Sequence, residues 1–211
     1  MLPIPTYKIE DEFSGVVAGV DEAGRGPWAG PVVAAAVVLD RAAAPEGIRD
    51  SKTLSEKRRR ALAADLWKTA KIGVGVASVE EIDAMNILAA SLLAMARAVA
   101  NLPVRPAIAL VDGNIKPKLQ CRAYTVIGGD GVSMSIAAAS IIAKTTRDRM
   151  MTELARDYPN YAWSSNKGYA APAHREALTK FGVTPHHRRS FAPIHNMLYA
   201  ERIEALLPPV R

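Results

Sequence analysis

Hydrophobic and polar positions divide the chain into short apolar runs and longer segments of helical period. Val16–Asp21 and Val32–Leu39 read as two strands, joined by a loop that holds Gly24, Gly26, Pro27, Gly30 and Pro31. Ser55 is an N-cap candidate for a helix running to about Ala70. From Ile72 to Val76 apolar residues alternate with glycine, as a third strand would. Ser78-Val79-Glu80-Glu81 has the spacing of a capping box, in which serine and glutamate side chains satisfy each other's backbone N–H groups. It opens a short helix, and a longer apolar-rich one follows from about Ile87 to Ala100.

Pro103 and Pro106 punctuate a linker before Ala107–Val111, whose wholly apolar character is that of a strand covered on both faces. That run ends in Asp112-Gly113-Asn114. A short strand near Ala123–Ile127 leads into Gly128-Gly129-Asp130, and a long helical pattern runs from about Ser133 to Arg156. Beyond Pro159 the chain is loop-rich, with helices expected at Pro172–Lys180 and His195–Leu206. Residues 1–14 read as a short polar arm before a domain spanning 15–205, whose loop-rich helical part begins near residue 157.

The first three strands have links short enough for an antiparallel meander. The later strand, arriving after helical crossovers, can lie parallel beside the first. The expected class is α/β, a mixed central sheet flanked by helices with a C-terminal helical extension. Ligand sites in such sheets gather at the carboxyl ends of parallel strands. Asp21, Glu22 and Asp112 then become neighbours, and Asp130, in a loop feeding a helix, can reach the same crevice.

At 211 residues, 49% hydrophobic and 23% charged, the chain fits one ordinary globular domain with a substantial core. Its 27 Lys and Arg against 21 Asp and Glu leave net +6 and a pI near 9.5, which favours a polyanionic partner. The single cysteine, Cys121, excludes an intrachain disulfide and suits a reducing cytoplasm. One cysteine and four histidines are a poor donor set for structural zinc. Residues 1–13 lack the layout of a signal peptide, and the longest apolar run, Val32–Leu39, is too short to span a bilayer. A soluble cytoplasmic protein acting as a monomer, with no membrane partner, is expected.

Against that basic background, the most informative stretch is Val20-Asp21-Glu22-Ala23-Gly24-Arg25-Gly26-Pro27. Carboxylates hold hard divalent cations, and flanking glycines let backbone N–H groups approach a phosphate or sugar closely. A solvated acidic turn would explain this segment taken alone. Four acids at the ends of separate elements, Asp21, Glu22, Asp112 and Asp130, repel one another unless cations neutralise them. In a basic protein this is the form of a magnesium or manganese site acting on a phosphodiester. Two ions about 3.5–4 Å apart would stabilise the attacking and leaving oxygens. Lys57-Arg58-Arg59-Arg60 on the first helix reads as a solvated face. His186 and His187 suit a loop ordered against nucleic acid or against the protein itself, and neither reads as a metal ligand.

The chain resembles a known family at six places in register. Gly19-Val20-Asp21-Glu22-Ala23-Gly24-Arg25-Gly26-Pro27 and Asp50-Ser51-Lys52-Thr53-Leu54 look like the opening signatures of type 2 ribonuclease H, the bacterial ribonuclease HII. Val111-Asp112-Gly113-Asn114, Ser140 to Asp148, Lys167-Gly168-Tyr169 and His186 to Phe191 complete the set. The resemblance implies a ribonuclease H-like fold and cleavage of the RNA strand of RNA–DNA hybrids. It also implies incision 5′ of single ribonucleotides embedded in duplex DNA, with 5′-phosphate and 3′-hydroxyl products. By that pattern Asp21, Glu22, Asp112 and Asp130 carry the Mg2+ or Mn2+ ions, two during catalysis. Gly24, Arg25 and Gly26 read the 2′-hydroxyl, the group that separates RNA from DNA, and Tyr169 stacks on the junction sugar. Lys52, Lys144, Arg147, Lys167, Arg188 and Arg189 lie within the motifs and are candidate phosphate contacts.

Two positions depart from the family pattern. Gly128 stands where a lysine is usual, and Ile136-Ala137-Ala138-Ala139-Ser140 replaces Ile-Ser-Ala-Ala-Ser. The first removes a basic group beside Asp130; the second removes one hydroxyl. A catalytically silent nucleic-acid-binding module would keep the fold and charge but gives no reason for four intact acids. A ribonuclease HIII-like enzyme is expected to carry a large extra domain, whereas 20 residues precede Asp21. The tail from Leu206 to Arg211 shows no clamp-binding pattern.

Overall fold

The computed structural model describes residues 4–206, so the tail 207–211 lies outside the described residues. Five strands, β1 (Val17–Ala23), β2 (Val32–Val38), β3 (Lys71–Ala77), β4 (Ile108–Asp112) and β5 (Arg122–Val126), form one sheet in the order β3-β2-β1-β4-β5. The β1–β2 and β2–β3 pairs are antiparallel, whereas β1–β4 and β4–β5 are parallel. This is the mixed sheet expected from the link lengths.

The helices are α1 (Glu56–Thr69), α2 (Val79–Met85), α3 (Ile87–Ala100), α4 (Met134–Asp157), α5 (Trp163–Asn166), α6 (Pro172–Phe181) and α7 (Ala192–Leu206). Their starts follow local capping chemistry. Ser55 accepts from the Arg58 N–H, Ser133 from the Ile136 N–H, and the Ser78–Glu81 box closes in both directions. Each such cap contributes about 1 kcal/mol. The α7 helix begins at Ala192 rather than His195, because Pro193 in a first turn forfeits no intrahelical hydrogen bond.

On one face of the sheet, Ala90, Ala94 and Ala98 of α3 pack onto Val20, Ala34, Ala36 and Val111. On the other, Leu62 and Leu66 of α1 join Ala137, Ala138, Ile141 and Ile142 of α4 against Ala35 and Val37. Full burial of one large aliphatic side chain here contributes roughly 1.5–3 kcal/mol. The alanines bring backbones close: a Cβ on Gly19 would stand 2.1 Å from the Ser135 carbonyl carbon. Ala137, where the family pattern has a serine, is fully buried in this second cluster. A third cluster, with Tyr161, Trp163, Leu178 and Ile194, closes around Ala29 and Met151. The C-terminal helices thereby press on the loop between β1 and β2.

The arm expected to be a polar extension is instead docked. Its polar pattern hides Ile9 and Phe13, which pack on the Ile108, Leu110 and Ile136 cluster. Thr6 also exchanges backbone hydrogen bonds with Val132 and Met134, each 3.1 Å. No helix among the described residues is long and apolar enough to cross a membrane.

Candidate active site

Strands β1 and β4 deliver two acids to the same end of the sheet. Val20 lies opposite Val111, so the next residues, Asp21 and Asp112, stand side by side. Strand alternation turns both toward α4, the side on which Ile108 and Leu110 meet Ile136. Asp130 comes from the 3₁₀ turn Gly129–Gly131 that leads into α4. The Gly129 N–H donates to Asp112 Oδ1 at 2.7 Å and ties that turn to the end of β4. A cleft of about 280 Å³ opens here, lined by Asp21, Glu22 and Asp112 together with Gly24, Arg25, Gly26, Lys52, Lys144 and Tyr169. Two larger grooves, of about 530 and 610 Å³, lie beside α1–α4 and at the end of α3, away from these acids.

The acids are electrostatically uncomfortable. Burial pushes the Asp21 carboxyl well above the usual carboxylate range, and the charges of Glu22 and Asp112 add to it. Burial also raises Glu22, opposed by the Arg25 guanidinium 3.3 Å away and reinforced by Asp112. Asp112 is raised by burial against the pull of the Gly129 N–H. Glu22 Oε2 is buried with no hydrogen-bond partner. Lys52 Nζ reaches Asp130 at 3.2 Å. Among the described residues no three His, Cys, Asp or Glu side chains stand in a metal-holding arrangement as they are. In donor chemistry, however, the set suits a hard cation: all oxygen, three acids biased toward protonation, and one orphaned oxygen.

The turn after β1 is built differently. Gly24 has φ +100°, and a Cβ there would meet Arg147 Nε at 2.0 Å, so only glycine fits. The loop doubles back without a strand partner, which leaves carbonyls facing inward. Arg188 donates from Nη2 to Gly24 O at 2.6 Å and Pro31 O at 3.2 Å, from Nη1 to Arg25 O at 2.9 Å, and from Nε to Gly30 O at 2.9 Å. Arg147 donates to Pro31 O at 2.9 Å, Ala29 O at 3.0 Å and Lys167 O at 2.9 Å. The two arginines are 0% and 1% exposed. The phosphate contacts expected of Arg147 and Arg188 are therefore corrected: rigid five-donor forks hold carbonyls of the turn instead. Burial lowers their pKa values to about 10 and about 9, so both remain charged at neutral pH.

Tyr169 faces this turn across the cleft and is 48% exposed. Its carbonyl accepts from His174 Nδ1–H at 2.8 Å, which fixes the tautomer of that ring. His174 Nε2 must then accept, from His187 Nε2–H at 2.9 Å and Trp163 Nε1–H at 3.2 Å. His187 Nδ1 in turn accepts from the Thr184 N–H at 3.0 Å. The buried histidine pair is thus fully bonded only when neutral. Burial lowers both, and beside His174 it drives His187 down to about 3. His187 is therefore ordered against the protein.

The Ribonuclease HII family model matches residues 18–194, a span holding all four acids, the glycine turn and Tyr169. The chain belongs to the ribonuclease HII family. It is 56% identical over 202 residues to Ribonuclease HII of Paracoccus denitrificans, covering 93% of this chain and 96% of that protein. Ribonuclease H2 from Pyrococcus horikoshii has a TM-score of 0.74 at 29% identity, over 88% of this chain and 98% of that one. The RNase HII structure solved in a PCNA complex from Archaeoglobus fulgidus has a TM-score of 0.70 at 30% identity, over 82% and 93%. Membership makes the chain a nuclease of the hydrolase class that acts on RNA paired with DNA.

The remaining basic groups divide by where their donors go. Lys52 and Lys144 line the cleft, the second held by Asp148 Oδ1 at 2.6 Å. Lys167 Nζ instead donates to Thr152 Oγ1 at 3.1 Å and to Ser164 O, so its expected phosphate contact is not favoured by this geometry. Arg59 is not part of a solvated face: it donates to Ser51 O at 2.8 Å and Leu54 O at 2.9 Å, and Ser140 Oγ accepts from the Ser51 N–H at 3.2 Å. Both contacts brace the turn that presents Lys52. Gly128 faces open space, and Lys52 supplies the cation beside Asp130. Sequence reasoning missed Asp83, which accepts from the Arg189 and Ser190 N–H groups, each at 2.9 Å, and anchors the loop that carries Arg188. It also missed His174 and Glu10.

Proposed function

We propose that this cleft hydrolyses the RNA strand of RNA–DNA hybrids and incises duplex DNA 5′ of a single embedded ribonucleotide, leaving 5′-phosphate and 3′-hydroxyl ends. The observation that carries the reading is the meeting, in one cleft, of an acid cluster short of positive charge with a glycine turn facing Tyr169. Asp21, Glu22, Asp112 and Asp130 would hold Mg2+ or Mn2+, two ions during turnover. Such ions, when bound, stabilise charge on the phosphate and make water more acidic.

The chain's own groups do the recognising. Backbone groups of Gly24 to Gly26 and the Arg25 side chain hydrogen-bond the 2′-hydroxyl, and Tyr169 stacks on the adjoining sugar. Arg147 and Arg188 fix the carbonyls of that turn, so its donors are aimed before substrate arrives. Lys52 and Lys144 offset the charge of flanking phosphates, and the net positive charge draws in the duplex. The same reading takes the chain as a cytoplasmic monomer.

The test is cleavage of a duplex holding one ribonucleotide, beside all-DNA and long-hybrid controls. A cut 5′ of the ribonucleotide with the all-DNA control intact is expected; equal cutting of all-DNA overturns the hydroxyl reading. Tyr169→Ala should lower the rate at isolated ribonucleotides about tenfold, the scale of one stacking contact. An unaltered rate would remove Tyr169 from the site.

A further inference from the structure

Glu10 lies in the 3₁₀ turn Glu10–Glu12 of the N-terminal arm, before the segment 18–194 that the family model matches, and is 5% exposed. Its Oε1 accepts three hydrogen bonds, from Ser133 Oγ at 2.7 Å, Ser135 Oγ at 2.7 Å and the Ser135 N–H at 2.9 Å. Those residues are the N-cap and first turn of α4, where the helix dipole favours a carboxylate. Four residues upstream, Thr6 pairs its backbone with Val132 and Met134. The arm therefore grips 132–135 at two points, immediately after the turn that carries Asp130. That turn is held at its other end by Asp112 through the Gly129 N–H.

Ser133 Oγ caps the Ile136 N–H and Glu10 the Ser135 N–H, so the arm completes the N-terminus of α4. The carboxylate is not ideal for stability, however: Oε2 is buried without a partner, and an apolar side chain would bury at lower cost. What the carboxylate adds is a fixed position for the segment beside Asp130.

We propose that Glu10 is a positioning residue, and that the arm is a strap setting Asp130 against Asp21 and Asp112. The proposal rests on the reading of Asp130 as a metal ligand. Outer partners of metal ligands typically affect metal affinity or activity about 10–100-fold. In the full chain, Glu10→Ala should lower kcat about tenfold with KM for a hybrid nearly unchanged, and weaken Mn2+ binding by calorimetry about tenfold. Amide exchange at residues 129–135 should quicken in the metal-free protein. Glu10→Gln, whose carbonyl oxygen can still accept these bonds, should recover most of each loss. Met95→Ala, a cavity under α3, should lower thermal stability while leaving kcat, Mn2+ affinity and that exchange at parental values.

Parental kcat and Mn2+ affinity in Glu10→Ala, or equal losses in Met95→Ala, would overturn the strap. If Glu10→Ala does not fold, Ser135→Ala removes one of the three hydrogen bonds to Oε1, the one from Ser135 Oγ, and should show the same pattern more weakly; no change there also overturns it. Asp130→Asn separates the two readings. Parental Mn2+ binding and cleavage in that variant sink the ligand role of Asp130 and the strap with it. Loss there beside parental behaviour in Glu10→Ala sinks the strap alone.

Discussion

The acid-bearing strand ends and the glycine turn line one cleft but are finished in opposite ways. Around the turn, inward carbonyls from Gly24 to Pro31 meet donors from two buried arginines, and His174 holds the Tyr169 carbonyl. Among the acids, Asp21, Glu22 and Asp112 are all raised by burial and mutual repulsion, and one Glu22 oxygen has no partner. A region that recognises a fixed shape gains from being satisfied before its ligand arrives. A region that receives positive charge is left short of it. Stability and function should therefore respond to substitution in opposite senses on the two sides.

The largest effect is expected from Asp112→Asn. Loss of a metal-holding charge should remove several kcal/mol of transition-state stabilisation, on the order of a 10³-fold fall in cleavage, with duplex binding largely kept. Asparagine Oδ1 can still accept from the Gly129 N–H, while one like charge leaves a crowded cluster. The metal-free variant should therefore melt higher than the parent. Near-parental turnover in magnesium, or a lower melting temperature, would break the contrast.

On the other side, Arg188→Lys should cost about 3 kcal/mol of stability, because an ammonium cannot serve the four carbonyls now served by one fork. A phosphate-binding arginine would tolerate lysine with little stability lost. Chemical denaturation distinguishes these outcomes: an undiminished midpoint, with weaker binding to duplex, would return Arg188 to the nucleic-acid interface.

Much of the fold was legible because its signals are local. Ser55, Ser78 and Ser133 each cap within three residues, and Asp21 and Asp112, each following the apolar run of one of the parallel strands β1 and β4, mark the end of the sheet that carries the site. The helix α5, of four residues, is too short to show a period. What could not be read was where long-range hydrogen bonds form. Arg188 reaches carbonyls up to 164 residues away, Glu10 reaches Ser135 across 125, and Asp83 reaches Ser190 across 107. A basic residue in a glycine-rich motif looks the same in sequence whether it points out to a phosphate or in to a carbonyl. Burial decides between them, and burial here depends on the C-terminal helices closing over the turn.

The smallest expected effect is a difference in pH dependence between the two regions. His187 titrates near 3 in the folded chain and near 6.5 when unfolded, and His174 is lowered in the same direction. Between those values the unfolded chain holds more protons, so stability rises with pH. The contribution of the pair is complete above about 6.5 and is lost as pH falls toward 3, by at most about 1.4 kcal/mol per pH unit for each ring. The acids run the other way. Asp21, Glu22 and Asp112 have raised values, so the metal-free protein sheds repulsion as pH falls through them. Denaturation of the metal-free chain between pH 7.5 and 5 should therefore show a shallower loss than Asp112→Asn, in which less repulsion remains to be relieved. If Asp112→Asn loses no more stability than the parent over this range, relief of repulsion at Asp112 does not offset the histidine pair, and the contrast between the two regions fails.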